Sequence, residues 1–168
     1  ISAELSVNID QAQVVLQDTC KRTYEVIGSK QVKCLGIGEK CAFTILAGVS
    51  VSSQALPFQA IWKGKMKVSL SHPSSPSYAE AWEIGIRFET SNTDNYWPTF
   101  GTMCSYVTNI LAPYFASMKA KLNPPADQEC ILLLDVWSEH CSEQFRDWMK
   151  KTYPWIVLSY IPGGCTSI

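Results

Sequence analysis

Apolar and polar positions alternate at the start of the chain. Leu5, Val7 and Ile9 are spaced by Ser6 and Asn8, the two-residue period of a strand with one buried face, predicted over Glu4 to Asp10 with Asp10 at its tip. Val14 to Leu16 extends the apolar signal, and Gly28-Ser29 turns into a second extended piece over 31–35. Cys41 to Val51 and Ala55 to Trp62 are rich in β-branched and aromatic residues, and Ser52-Ser53-Gln54 between them is the length of a hairpin loop. Ser69 to Ser77, dense in Ser and Pro, is a loop, followed by a short helix over Tyr78 to Glu83 and a strand over Ile86 to Thr90.

From Thr99 to Leu122 the period changes. Met103, Tyr106, Val107, Ile110, Leu111, Tyr114, Phe115 and Met118 recur every three or four residues, the stripe of an amphipathic helix. Pro113 should kink it, and Asn123-Pro124-Pro125 should end it. Cys130 to Val136 is an apolar run broken by Asp135, which predicts a strand covered on both faces with an acid at its end. Glu139 to Lys151 reads as a helix whose early glutamates and late lysines suit its dipole. Trp155 to Ile161 is a last strand, closed by the turn Pro162-Gly163-Gly164.

The resulting order joins an antiparallel part to a parallel part through a helix. It predicts one α/β domain over residues 1–168, with a ribonuclease-H-like mixed sheet and flanking helices. Composition agrees with a globular chain: 46% of the residues are apolar and 17% charged. No apolar run approaches the ~20 residues needed to span a bilayer, so no membrane partner is expected. The chain opens on Ile1 without the blocks of a signal peptide and reads as a piece of a longer protein. Seven cysteines without a C-x-x-C pair, and two distant histidines, predict buried free thiols in a reducing, intracellular setting rather than a closed zinc site.

A net charge of −1 and a pI near 6.1 argue against tight stand-alone binding to nucleic acid, which rests on Lys and Arg neutralising phosphates. Any such contact must be local, at small lysine clusters such as Lys63, Lys65 and Lys67; the plainer reading is a solvated surface.

Candidate chemistry centres on Asp10 and Asp135. If their strands are neighbours, two carboxylates stand side by side, and like charges so placed call for a cation or a proton between them. Oxygen ligands select a hard divalent ion, Mg²⁺ or Mn²⁺, able to clamp a phosphodiester during in-line displacement. The alternative is that Asp10 caps a turn and Asp135 merely ends a strand. Gly36-Ile37-Gly38 lacks the rest of a dinucleotide fingerprint and reads as a turn. Asp135, Ser138 and His140 lie too close in sequence for a hydrolase triad.

Several blocks, taken in order, resemble the DDE superfamily endonuclease domain of mariner/pogo-type transposases over nearly the whole chain. Val7-Asn8-Ile9-Asp10-Gln11 is similar to the family's first acidic block, and Gly28 to Val32 to the short basic segment after it. Glu39-Lys40, Phe43-Thr44, Leu56-Pro57 and Gly64-Lys65 resemble its hairpin pattern. Asp135 to His140 resembles the second acid with its histidine five residues on, and Pro162 with Thr166 the approach to the third acid.

The resemblance implies a ribonuclease-H-like core in which Asp10 and Asp135 bind Mg²⁺ or Mn²⁺ as catalytic and metal-ligating residues. It further implies His140 supporting them, Lys40, Lys63 and Lys65 near DNA, a nuclear location, and self-association in the full-length family. The third acid would fall beyond Ile168, so the core is expected to be C-terminally truncated and weak or inactive as it stands; Val136 stands where the wider family commonly has Asn. The other expectation is a relic domain that keeps the fold as an interaction module without catalysis.

Overall fold

The computed structural model describes residues 1–15 and 42–163. The extended piece expected over 31–35, Lys40 and Thr166 lie outside the described residues. Six strands form one sheet: β1 (Ser6–Val15), β2 (Ala42–Ser50), β3 (Gln59–Trp62), β4 (Arg87–Thr90), β5 (Cys130–Asp135) and β6 (Ile156–Ile161). Their spatial order is β4-β3-β2-β1-β5-β6. β2 is antiparallel to β1 and β3, while β1 with β5, β5 with β6, and β3 with β4 are parallel. Five strands therefore run one way and β2 alone runs back, so five carboxyl ends meet at one edge of the sheet.

The hairpin forms as its sequence predicts, with an added bridge between Val49 and Ala55. β3 starts later than expected, at Gln59. Pro57 accounts for the delay, since it has no N–H to give to a ladder. Between β3 and β4 stands α1 (Tyr78–Glu83), whose Tyr78 stacks on Phe88 at 5.1 Å. Phe88 adjoins Trp62, which stacks on Phe43 at 4.5 Å. That aromatic row covers the outer strands on the face away from the core.

The helical stripe becomes α2 (Phe100–Tyr106), a π-helical turn over Val107–Leu111, and α3 (Ala112–Leu122). Thr99 and Thr102 cap its start reciprocally, and Asn123 ends it in the left-handed region at φ 45. Pro113 sits in the first turn of α3, just after the wide turn in which Ala112 N–H reaches back to Val107 C=O. The disturbance expected at the proline is thus taken up one turn earlier, as a change of helix type.

α4 (Glu143–Thr152) begins later than its sequence suggested. The Ser142 hydroxyl accepts the Phe145 N–H at 3.2 Å and fixes the start there. Glu139 and His140 consequently lie in a turn ahead of the helix, and Glu139 does not serve its dipole.

The core lies on one face of the sheet. Val7 and Ile9 of β1, Leu46 of β2, and Leu132 and Leu134 of β5 pack under Tyr106, Leu111 and Phe115 of the long helical stretch and Phe145 and Met149 of α4. β5 is not sealed on both faces as expected: Cys130, Leu132 and Leu134 are buried, whereas Ile131, Leu133 and Asp135 are half-buried. Gly48 of β2 faces the Tyr106 hydroxyl so closely that a Cβ there would collide with it. No helix among the described residues is long and apolar enough to cross a membrane.

Candidate functional site

β1 and β5 are neighbours, joined by the pairs Ser6↔Ile131, Val7↔Leu132 and Asn8↔Leu133. Counting on two residues from the last pair sets Asp10 opposite Asp135. Both belong to the alternation that faces away from the core, since Val7 and Ile9 on β1, and Leu132 and Leu134 on β5, are the buried members. Asp10 is not at a strand tip. β1 continues to Val15 because β2 pairs with it along its whole later half, from Asp10↔Ala47 to Val15↔Ala42. What ends near Asp10 is the parallel ladder to β5.

The two carboxylates differ in surroundings. Asp10 is exposed and its Oδ1 accepts the backbone N–H of Gln11 at 2.7 Å. The Asp135 side chain is 43% exposed, and its Oδ1 lies 2.6 Å from Nδ1 of His140, whose side chain is wholly buried. An ionised carboxylate only accepts, so Nδ1 donates. His140 is held from three sides: by Asp135, by the Trp137 ring meeting it edge-on at 5.2 Å, and through its carbonyl, which accepts the Tyr160 hydroxyl at 2.9 Å. Burial above all pushes the Tyr160 phenol up, with Cys141 adding and Arg146 opposing. Nε2 of His140 is buried without a hydrogen-bond partner among the described residues.

Among the described residues no group of three His, Cys, Asp or Glu side chains converges as metal ligands would. Cys104, Cys130 and Cys141 are free thiols. Burial raises Cys104 to about 11 and also raises Cys130, the latter opposed by Lys119. Neither is a ready nucleophile.

Lys63 and Lys65 are exposed in the segment after β3. Gly64 between them has φ +132, and a Cβ there would lie 2.7 Å from that of Ser69, so the turn requires glycine. Its N–H donates to Thr93 C=O at 3.1 Å and its C=O accepts the Asn92 N–H at 3.0 Å. β3 runs parallel to β1, so this basic turn lies at the same sheet edge as Asp135.

Sequence reasoning passed over the segment 91–99. It folds on its own polar side chains: the Ser91 hydroxyl accepts from Thr93 N–H at 3.2 Å, and Asn95 Oδ1 accepts from Trp97 N–H at 3.0 Å. Gln13 Nε2 donates to the Tyr96 hydroxyl at 2.6 Å, tying the segment to β1. Between it and the turn after β5 is a cavity of about 350 Å³ lined by Thr93, Asn95, Trp97, Pro98, Thr99, Trp137 and Glu139. The run Ser91-Asn92-Thr93-Asp94-Asn95 before two aromatics was its only sequence signal, a turn-forming cluster.

Comparison with protein-family profiles, curated proteins and solved structures finds no match to this chain.

Proposed function

We propose that this chain is a ribonuclease-H-like nuclease core of the DDE transposase kind, in which Asp10 and Asp135 hold a divalent ion against a DNA phosphodiester. The observation that carries the reading is the register of β1 and β5, which sets the two acids opposite each other on one face just past the last paired residues. The sheet supports it: an antiparallel part, β3-β2-β1, passes through β1 into a parallel part, β1-β5-β6, with β4 added outside.

The donors fit a hard ion. Mg²⁺ keeps several waters and commonly takes only one or two protein carboxylates besides substrate phosphate. Asp135 would bind through its second oxygen while His140 fixes the first, and Asp10 would turn from Gln11 to complete the pair. Mg²⁺ or Mn²⁺ there would supply charge neutralisation and orientation for in-line displacement at phosphorus. His140 is a positioning residue that holds the Asp135 carboxylate at one angle. Lys63 and Lys65 would meet backbone phosphates on the same edge. With no third ligand converging among the described residues, ion binding is expected to be weak and strand cutting slow.

Calorimetric titration of Mn²⁺ into the parent, Asp10→Asn and Asp135→Asn tests the reading. Heat that needs both acids supports one shared site; heat unchanged by either substitution overturns it. The second reading, an interaction module without catalysis, rests on the lack of a converging third ligand among the described residues and on Asp10 accepting the Gln11 backbone N–H. It gains if a folded chain binds no Mn²⁺ and nicks no plasmid DNA.

A further inference from the structure

The cavity between the segment 91–99 and the turn after β5 sits outside the acid pair yet is coupled to it. Trp137, one of its walls, rests against the His140 ring that holds Asp135. Thr93, another lining residue, is hydrogen-bonded through its backbone to Gly64 in the middle of the lysine turn. The cavity thus shares the carboxyl edge of the sheet with the lysine turn and the end of β5, the edge where ligands collect in sheets of this kind.

Its chemistry is specific. Trp97 is 43% exposed, and Trp137 lines the same space, so indole surface is offered to a ligand instead of being spent on the core. Asn95 Oδ1 is occupied by Trp97 N–H, which leaves the amide NH₂ as what that side chain can offer. Glu139, freed from α4, contributes a carboxylate that repels phosphate and accepts from an N–H. Three exposed lysines, Lys63, Lys65 and Lys67, stand on the adjoining turn. A volume near 350 Å³ is at the small end of ligand sites and suits one flat ring system rather than a base pair.

We propose that this cavity takes a single unstacked base of a nucleic-acid strand, held on indole, while the Lys63–Lys67 turn holds the phosphates beside it. Glu139 makes the preferred base one with an exocyclic amine, cytosine, adenine or guanine, because a carboxylate accepts from that amine, whereas thymine has none and offers only its ring N3–H. The proposal rests on the nucleic-acid reading above and names the strand feature recognised there.

The test is fluorescence anisotropy with labelled single-stranded homopolymers of dC, dA and dT and an abasic strand of equal length. It is run at low salt in EDTA, so that the acid pair plays no part. Strands of dC and dA should bind more tightly than dT or the abasic strand. Trp97→Ala, an exposed position, should weaken dC binding roughly tenfold, the loss expected for one stacked base. Glu139→Leu, which removes the acceptor, should erase the advantage of dC and dA over dT and leave dT binding no weaker than in the parent, since a charge that repels phosphate goes with it. An abasic strand that binds as tightly as dC, a Trp97→Ala variant with unchanged affinity, or no binding by any strand overturns the proposal. Mn²⁺ calorimetry scores the acid pair separately, so either reading can fail while the other stands.

Discussion

His140 and Asp135 share a 2.6 Å hydrogen bond that joins a wholly buried ring to a carboxylate nearly half in solvent. The ring is enclosed by the protein and the acid is not, so the bond orients the acid. Replacing His140 with Ala should lower Mn²⁺ affinity by roughly 10- to 100-fold, as loss of an outer partner commonly does. Folding should lose about 2 kcal/mol, from a vacated buried site and a bond to an acid that solvent partly screens. Calorimetry and urea denaturation read the two effects; metal affinity unchanged in a folded variant would deny His140 its positioning role.

Gly48 and Tyr106 form a second tight pair. A Cβ at Gly48 would meet the Tyr106 hydroxyl, which is itself buried with no hydrogen-bond partner among the described residues. Gly48→Ala should therefore destabilise by about 1–3 kcal/mol through overpacking. Tyr106→Phe removes an unsatisfied hydroxyl and should be neutral or stabilising by about 1 kcal/mol. Combining them should recover much of the first loss, a coupling that a double-mutant cycle measures.

Alkaline pH should weaken the fold earlier than its carboxylates and amines alone would dictate. Burial raises Cys104 from 9.0 to about 11, and raises Tyr106 well above its ordinary 10.0. Both groups are neutral when protonated, so the folded chain keeps protons that the unfolded chain gives up. Their contribution is intact below pH 9, and stability falls as pH rises from 9 through 11 and beyond. Urea denaturation across pH 8–11 should show this slope, and Cys104→Ala should make it shallower between 9 and 11.

Ser142 sets where α4 begins, and with it the shape of the turn carrying Trp137, Glu139 and His140. Its hydroxyl both accepts from Phe145 N–H and donates to Glu139 C=O at 2.8 Å. Ser142→Ala should cost about 1 kcal/mol. Ser142→Asp keeps the acceptor for the helix but loses the donor to the turn. It should restore most of the stability while leaving hydrogen exchange faster at Cys141, whose N–H bonds to Trp137 C=O.

Period and punctuation made much of the architecture legible. The alternation in β1, the loop length of the hairpin, the stripe from Met103 to Met118 and the Asn-Pro-Pro stop each correspond to an observed element. Local signals failed where a neighbour decides the outcome. β1 outruns Asp10 because β2 pairs with it, a long-range fact that residues 4–10 do not contain. β5 looks doubly buried from its composition, but what covers its second face is a property of the fold and not of six residues. Glu139 reads as helical by charge, and the Ser142 hydroxyl overrules it. Of the candidate site, the two acids stood out as charges ending apolar strands, and His140 only through the family resemblance of the block Asp135 to His140. The cavity did not, because its walls come from segments some forty residues apart that only the sheet edge brings together.

The π turn over Val107–Leu111 acts as a phase correction. A regular helix advances about 100° per residue, and one wide turn accommodates a residue more than the α-helix would. Deleting Asn109 would let the backbone close into an ordinary helix, yet everything before it would swing by about that angle relative to α3. Thr102 C=O, now bound by Gln59 Nε2 at 3.0 Å, and Tyr106, seated over Gly48, would leave their places together. The bonding looks irregular, but it is what lets both halves of the long helical stretch address the same sheet.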